Sequence, residues 1–235
     1  HIDTVDSRKK LAWLYTQQGL FNKAEFHLRI ALGIQGKNLR SENVDILSTI
    51  NNLAVIYNSQ GLYAKAKDLF ARALDIYDQA KGPLHFESLT TVKNLISAYK
   101  KLGFYNKAEP LAIRALEINE KNFGDAHPDT AKALNNLALI YLETGKYQKA
   151  EENFIRAIKI YQENLGLDHQ HTAIAKNNLA TLYKEQGLYN KAKPLLNQAL
   201  QVYEDSLGSD HSITISGINN LASLYQDMGV YGKAE

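Results

Sequence analysis

The sequence predicts an all-α fold, an α-solenoid of antiparallel helix hairpins. Three observations support it: a 42-residue repeat along the chain, helical spacing of apolar residues within each copy, and a glycine that stops the chain midway through each copy. Glycines stand at 19, 61, 103, 145, 187 and 229, each 42 residues after the last. Four residues before them come Tyr15, Tyr57, Tyr99, Tyr141, Tyr183 and Tyr225. Five residues after them come Ala24, Ala66, Ala108, Ala150, Ala192 and Ala234. Phe21, Tyr63, Tyr105, Tyr147, Tyr189 and Tyr231 form a second aromatic column. Self-similarity at a fixed period of this length marks a stack of small supersecondary units.

The register divides the chain into a single solenoid of six units, about 1–42, 43–84, 85–126, 127–168, 169–210 and a truncated 211–235. Within the fourth unit, Leu134, Leu137, Ala138 and Tyr141 follow the i, i+3, i+4, i+7 rule for one face of a helix. Gly145 ends that helix, because a residue without a Cβ adopts the left-handed backbone of a helix stop at least cost. Ala150, Phe154, Ala157 and Ile158 then define a second helix. The segment 124–129 (Gly-Asp-Ala-His-Pro-Asp) breaks the chain before the next unit. Asn106 and Asn190 read as N-caps, which would put Pro110 and Pro194 near a first turn.

The combination Leu-Ala-x-x-Tyr, Gly-x-Tyr and Lys-Ala-Glu resembles the tetratricopeptide repeat family over the whole chain. The 42-residue period, the Asn-Asn-Leu-Ala element at 51–54, 135–138, 177–180 and 219–222, and the Leu-Gly-x-Asp-His linkers at 165–169 and 207–211 are similar to the kinesin light chain subtype. The resemblance implies a right-handed superhelix with a concave groove, lined by the first helix of each unit, where such proteins hold peptides.

Composition narrows the function. Twenty-seven Lys and Arg against 25 Asp and Glu leave no cation surplus for general binding to nucleic acid. No apolar run is long enough for a membrane span. The chain has no cysteine, so thiolate metal sites, thiol nucleophiles and disulfides are excluded, and a reducing, cytoplasmic location is expected. Phosphate-loop, serine-elbow and zinc-protease motifs are missing, so the segment is read as no enzyme, with no cofactor and no metal. His85, His127, His169 and His211 share the 42-residue period. Helix layers about 8–10 Å apart hold such copies too far from one another to share an ion, so they are read as capping or linker hydrogen-bonding groups.

On a helical wheel, Lys132, Asn135, Asn136, Leu139, Leu142 and Glu143 oppose the core face of the fourth unit's first helix. Carried through the repeat, the groove floor is Trp13, Val55, Ser97, Leu139, Thr181 and Ser223. The candidate peptide-binding residues are Asn52, Lys93, Asn94, Lys100, Lys132, Asn135, Asn136, Leu139, Asn177 and Asn178. A side-chain amide both donates and accepts, so the asparagine ladder has two readings: pairing with the backbone of an extended peptide, or bridging neighbouring first helices. Lys9, Lys10, Lys93, Lys100, Lys101, Lys132 and Lys184 outnumber Asp6, Glu143, Glu185 and Asp227 on this face, which favours an acidic peptide or protein segment.

The expected function is a protein- or peptide-binding scaffold; the alternative is a structural self-assembly module. The chain starts at a unit boundary and stops inside unit six, as a piece of a longer protein would. Leu221, Ala222, Leu224 and Tyr225 of unit six are expected to be only partly covered, so that weak self-association through that end would follow. Gly33 and Gly36, with the glycine-histidine pattern missing from the Asn38–Asn43 linker, are expected to make unit one the softest joint.

Overall fold

The computed structural model describes residues 2–38 and 46–230, with side chains described over 4–36 and 46–230. Eleven α-helices and no strand occur among the described residues: α1 (Ile2–Gln17), α2 (Phe21–Asn38), α3 (Leu47–Ser59), α4 (Tyr63–Lys81), α5 (Leu89–Lys101), α6 (Tyr105–Phe123), α7 (Pro128–Glu143), α8 (Tyr147–Leu165), α9 (Gln170–Glu185), α10 (Tyr189–Leu207) and α11 (Ser212–Asp227). They fall into two compact units, His1–Ile118 and Asn119–Glu235. In the first, α1 packs on α2 and α3 on α4; in the second, α7 packs on α8 and α9 on α10. α11 then lies against α10. The sequence from Leu39 to Asp45, the soft linker among it apart from Asn38, lies outside the described residues, as do Tyr231 and Ala234.

The Tyr and Gly columns are joined by one helix stop. α7 ends at Glu143, and Gly145 takes φ 70°. The Gly145 N–H donates to the Leu142 carbonyl at 3.0 Å and the Lys146 N–H to the Tyr141 carbonyl at 2.8 Å. This is the double bond pattern of a Schellman stop. The next helix begins after one more residue, which makes the hairpin tight.

The Lys-Ala-Glu motif splits its three side chains among three jobs. The alanines of the described copies are fully buried, letting the two helices approach. Lys23, Lys65, Lys149 and Lys191 lie 5.0–5.5 Å from the ring centre of the tyrosine eight residues earlier. The glutamate reaches forward: Tyr57 Oη donates to Glu25 at 2.8 Å, and Tyr183 Oη to Glu151 at 2.6 Å. Burial, with the Glu151 charge, pushes the Tyr183 phenol up to about 12. Two copies end in lysine instead: Lys193 stands 5.3 Å over the Tyr225 ring, and Lys67 pairs with Asp68 at 2.9 Å.

Three first helices, α7, α9 and α11, take their caps from histidine. His127, His169 and His211 are extended N-cap residues whose Nδ1 accepts from the backbone N–H two residues on, at 3.1, 3.1 and 3.2 Å. His85 does the same for a 3-10 turn, Phe86–Ser88, ahead of α5. The ring nitrogen thus fills the place usually taken by Ser or Asp.

Two expectations about elements need correction. α6 and α10 start at Tyr105 and Tyr189, so Asn106 and Asn190 are inside the helices rather than capping them. Pro110 and Pro194 therefore sit inside the helices, both exposed, where water can solvate the carbonyl that loses its N–H partner. In unit six, α11 is folded, with Leu224 buried and Leu221, Ala222 and Tyr225 half-buried.

Candidate functional site

First helices of adjacent hairpins adjoin within each unit: α3 with α5 in the first, α7 with α9 and α9 with α11 in the second. Their outward faces hold the residues singled out from the sequence. In the second unit Lys132 is exposed, Asn136, Leu139, Asn177, Asn178 and Thr181 are half-buried, and Asn135 is buried. In the first unit Asn52 is exposed and Lys93, Asn94 and Lys100 are half-buried. Trp13 and Val55 of the floor column are exposed, Trp13 by 63%.

The asparagines bond to one another. Asn178 Nδ2 donates to Asn135 Oδ1 at 3.1 Å, joining α9 to α7. Asn220 Nδ2 donates to Asn177 Oδ1 at 3.0 Å, joining α11 to α9. In the first unit Thr91 Oγ1 donates to Asn51 Oδ1 at 3.2 Å, the same acceptor column served by a hydroxyl from a different position. Asn136 makes no hydrogen bond to a described residue. A wheel drawn for one helix placed Asn135 and Leu142 on the open side; both are buried, because a neighbouring helix covers that flank. No single-helix projection contains that neighbour.

Charge on the face is partly self-compensated. Lys9 pairs with Asp6 at 2.9 Å and reaches Ser48 at 3.4 Å. Its hydrogen bond and charge hold the Asp6 carboxyl below the usual carboxylate range. Lys184 donates to Ser223 at 2.9 Å and lies 3.8 Å from Asp227. Lys132 has no such acid partner among the described residues. Sequence reading did not pair Lys184 with Ser223, although both residues stand in the groove columns. Among the described residues no three His, Cys, Asp or Glu side chains come together as a metal ion needs, and no helix is long and apolar enough to cross a membrane.

Family models of the tetratricopeptide repeat match residues 46–85 and, in overlapping segments, 87–163, 132–205 and 171–235. No curated protein matches significantly. Among solved structures, the kinesin light chain-type, nearly identical TPR-like repeats of Podosopora anserina superpose with a TM-score of 0.77 at 26% identity, covering 88% of this chain and 98% of that one. A signal transduction ATPase from Pyrococcus horikoshii with a tetratricopeptide repeat sensor gives 0.73 at 18% identity, over 95% of this chain and 33% of that one. YrrB, described as a TPR protein with an unusual peptide-binding site, gives 0.60 at 19% identity, over 88% and 90%. The last two likenesses bear on the fold alone. Proteins built of these repeats are typically non-enzymatic scaffolds for protein–protein contacts. The chain belongs to the tetratricopeptide repeat family, and its repeats are of the kinesin light chain-like type.

Proposed function

We propose that the chain is a cytoplasmic scaffold that holds an extended acidic peptide or protein segment on the outward face of its first helices. In the second unit the contact surface is Lys132, Asn135, Asn136, Leu139, Asn177 and Asn178; in the first it is Asn52, Lys93, Asn94 and Lys100. The single observation that supports this most is Asn136. Its half-buried amide has no hydrogen bond to a described residue and shares α7 with the half-buried Leu139 and the exposed, acid-free Lys132. An amide in that position can pair with a peptide backbone whatever its side chains, while the lysine selects for acids. The Asn135–Asn178 and Asn177–Asn220 bonds hold the flanks in place without using the second proton on either donor amide. Screening a random peptide library tests the reading. Acidic sequences should be enriched, Asn136→Ala should weaken binding with an unchanged melting temperature, and added salt should weaken it further. Enrichment of basic peptides would refute it.

A self-assembly reading has one observation in its favour: Ile215 and Ile218 on α11 are 47% and 42% exposed, three residues apart on one face. Light scattering across a concentration series separates the two. A strict monomer removes this second reading, whereas a dimer lost in Ile218→Asp supports it.

A further inference from the structure

Two repeat columns break at the same place in the second unit. At the position of Ile50, Val92 and Leu134, all buried in the core, the fifth repeat has Lys176, which is buried as well with 7% exposure. Lys176 makes no hydrogen bond or ion pair to a described residue. The second break lies between second helices. Asp78 pairs with Arg114, 2.8 Å from Oδ2 to Nη1, and Glu120 pairs with Arg156 at 2.8 Å. One period further on, the corresponding residues are Gln162 and Gln198, which have no charge to pair.

A cleft of about 670 Å³ opens where both columns fail, between α8 and α10. Lys176 lines it together with Gln162, Gln198, Val202, Asp168 and Asp205. The volume falls within the range of small-molecule sites, about 300–1,000 Å³. The lysine stem takes the place of a core leucine, and its ammonium brings three donors to the cleft. Asp168 and Asp205 are exposed and form no ion pair with a described cation. Asp205 is steadied by Gln201, whose Nε2 lies 3.0 Å from both carboxylate oxygens.

We propose that this cleft is a second binding site, on the second-helix side and independent of the first-helix face, for a ligand with both a carboxylate and a cationic group. The carboxylate answers Lys176, the cation answers Asp168 and Asp205, and the glutamine amides complete the neutral wall. A basic amino acid presents that chemistry, either free or as the C-terminal residue of a peptide.

Calorimetric titration of the whole chain tests this with three probes: L-arginine, the tripeptide Gly-Gly-Arg, and agmatine, which is arginine without its carboxylate. L-Arginine or Gly-Gly-Arg should bind saturably, and agmatine about tenfold more weakly or worse, since it cannot pair with the ammonium. Binding of both assigns a free amino acid; binding of the tripeptide alone assigns a peptide C-terminus. Lys176→Met should abolish binding while keeping helicity, because buried apolar residues occupy the same place in three other repeats. Asp168→Asn with Asp205→Asn should weaken binding from the rim without touching the core. Absence of saturable binding by either carboxylate probe at about 10 mM, a dissociation constant too weak to matter, overturns the proposal. So does agmatine binding as tightly as arginine, or arginine binding unchanged in Lys176→Met.

Discussion

Asn178 on α9 donates its side-chain amide to Asn135 on α7 across 3.1 Å, and the acceptor is only 9% exposed. Removing the donor leaves a buried carbonyl without its partner. Asn178→Ala should therefore cost about 1–3 kcal/mol of unfolding free energy. Asn136→Ala, which breaks no bond to a described residue, should stay within about 0.5 kcal/mol of the parent. Urea unfolding of the two variants measures the difference. Equal midpoints would show that the ladder does not hold the helices together.

The contact of Tyr183 with Glu151 links adjacent hairpins by a hydroxyl-to-carboxylate bond, with the tyrosine buried. Tyr183→Phe keeps the ring and removes the donor. The expected loss is about 1.5–3 kcal/mol, as for hydrogen bonds to charged groups. Glu151→Gln should recover part of that bond, so a thermal melt should place it between parent and Tyr183→Phe. A Phe variant as stable as the parent would contradict the assignment.

Acidification should destabilise the second unit through His171. Burial depresses its protonated form first, followed by repulsion from His169 and Lys132, so its folded-state value lies below the ordinary 6.5. A depressed value means that the unfolded chain takes up the proton more readily. The stabilisation is complete above about pH 6.5 and is lost as pH falls from there through the folded-state value. The ring stacks on Tyr161 at 5.6 Å, which protonation would leave in place but charged. The parent should melt lower at acid pH, and His171→Gln should show a shallower slope across the same range. Parallel slopes would remove His171 as the cause.

Gly33 and Gly36 are inside α2, exposed, and a Cβ built at either position meets nothing within 4 Å. Alanine there gains helix propensity without a clash. Each substitution should stabilise the first unit by up to about 1 kcal/mol. Amide exchange over 32–38 should slow in the double variant and approach that over 116–122. Unchanged exchange would mean that the glycines are not what loosens this helix.

Period, helix hairpins and histidine caps were all legible in the sequence, for one physical reason. Each depends on contacts within a repeat or with its immediate copy, so the residue types recur in columns. Gly145 and Tyr141 share a single helix stop, and that stop needs the same spacing every time. Bridging of first helices was one of two readings of the asparagines, and the particular pairs were not legible. Whether Asn135 faces solvent or α9 depends on how far apart two first helices lie, which no one-helix wheel contains. Lys176 was readable in principle, as the one lysine in an otherwise apolar stretch of its column, but that signal emerges only when the core columns are aligned as carefully as the glycines. The mistaken caps at Asn106 and Asn190 came from trusting residue type alone. The helix start there is set by the preceding Schellman turn, and no side-chain acceptor is needed.

The bonds between hairpins have a further consequence for how such a chain can change its length. Tyr183 meets Glu151 across 32 residues, and Asn178 meets Asn135 across 43. Donor and acceptor are present together in the copies that make them. Excision of residues 169–210 would bring Tyr225 to Glu151 and Asn220 to Asn135, the same chemical pairs with new members. Insertion of one whole copy would do the reverse. Gain or loss of a complete period therefore regenerates both kinds of pair, whereas a cut of any other length puts them out of register. The lattice of side-chain bonds makes the 42-residue block the natural quantum of insertion and deletion.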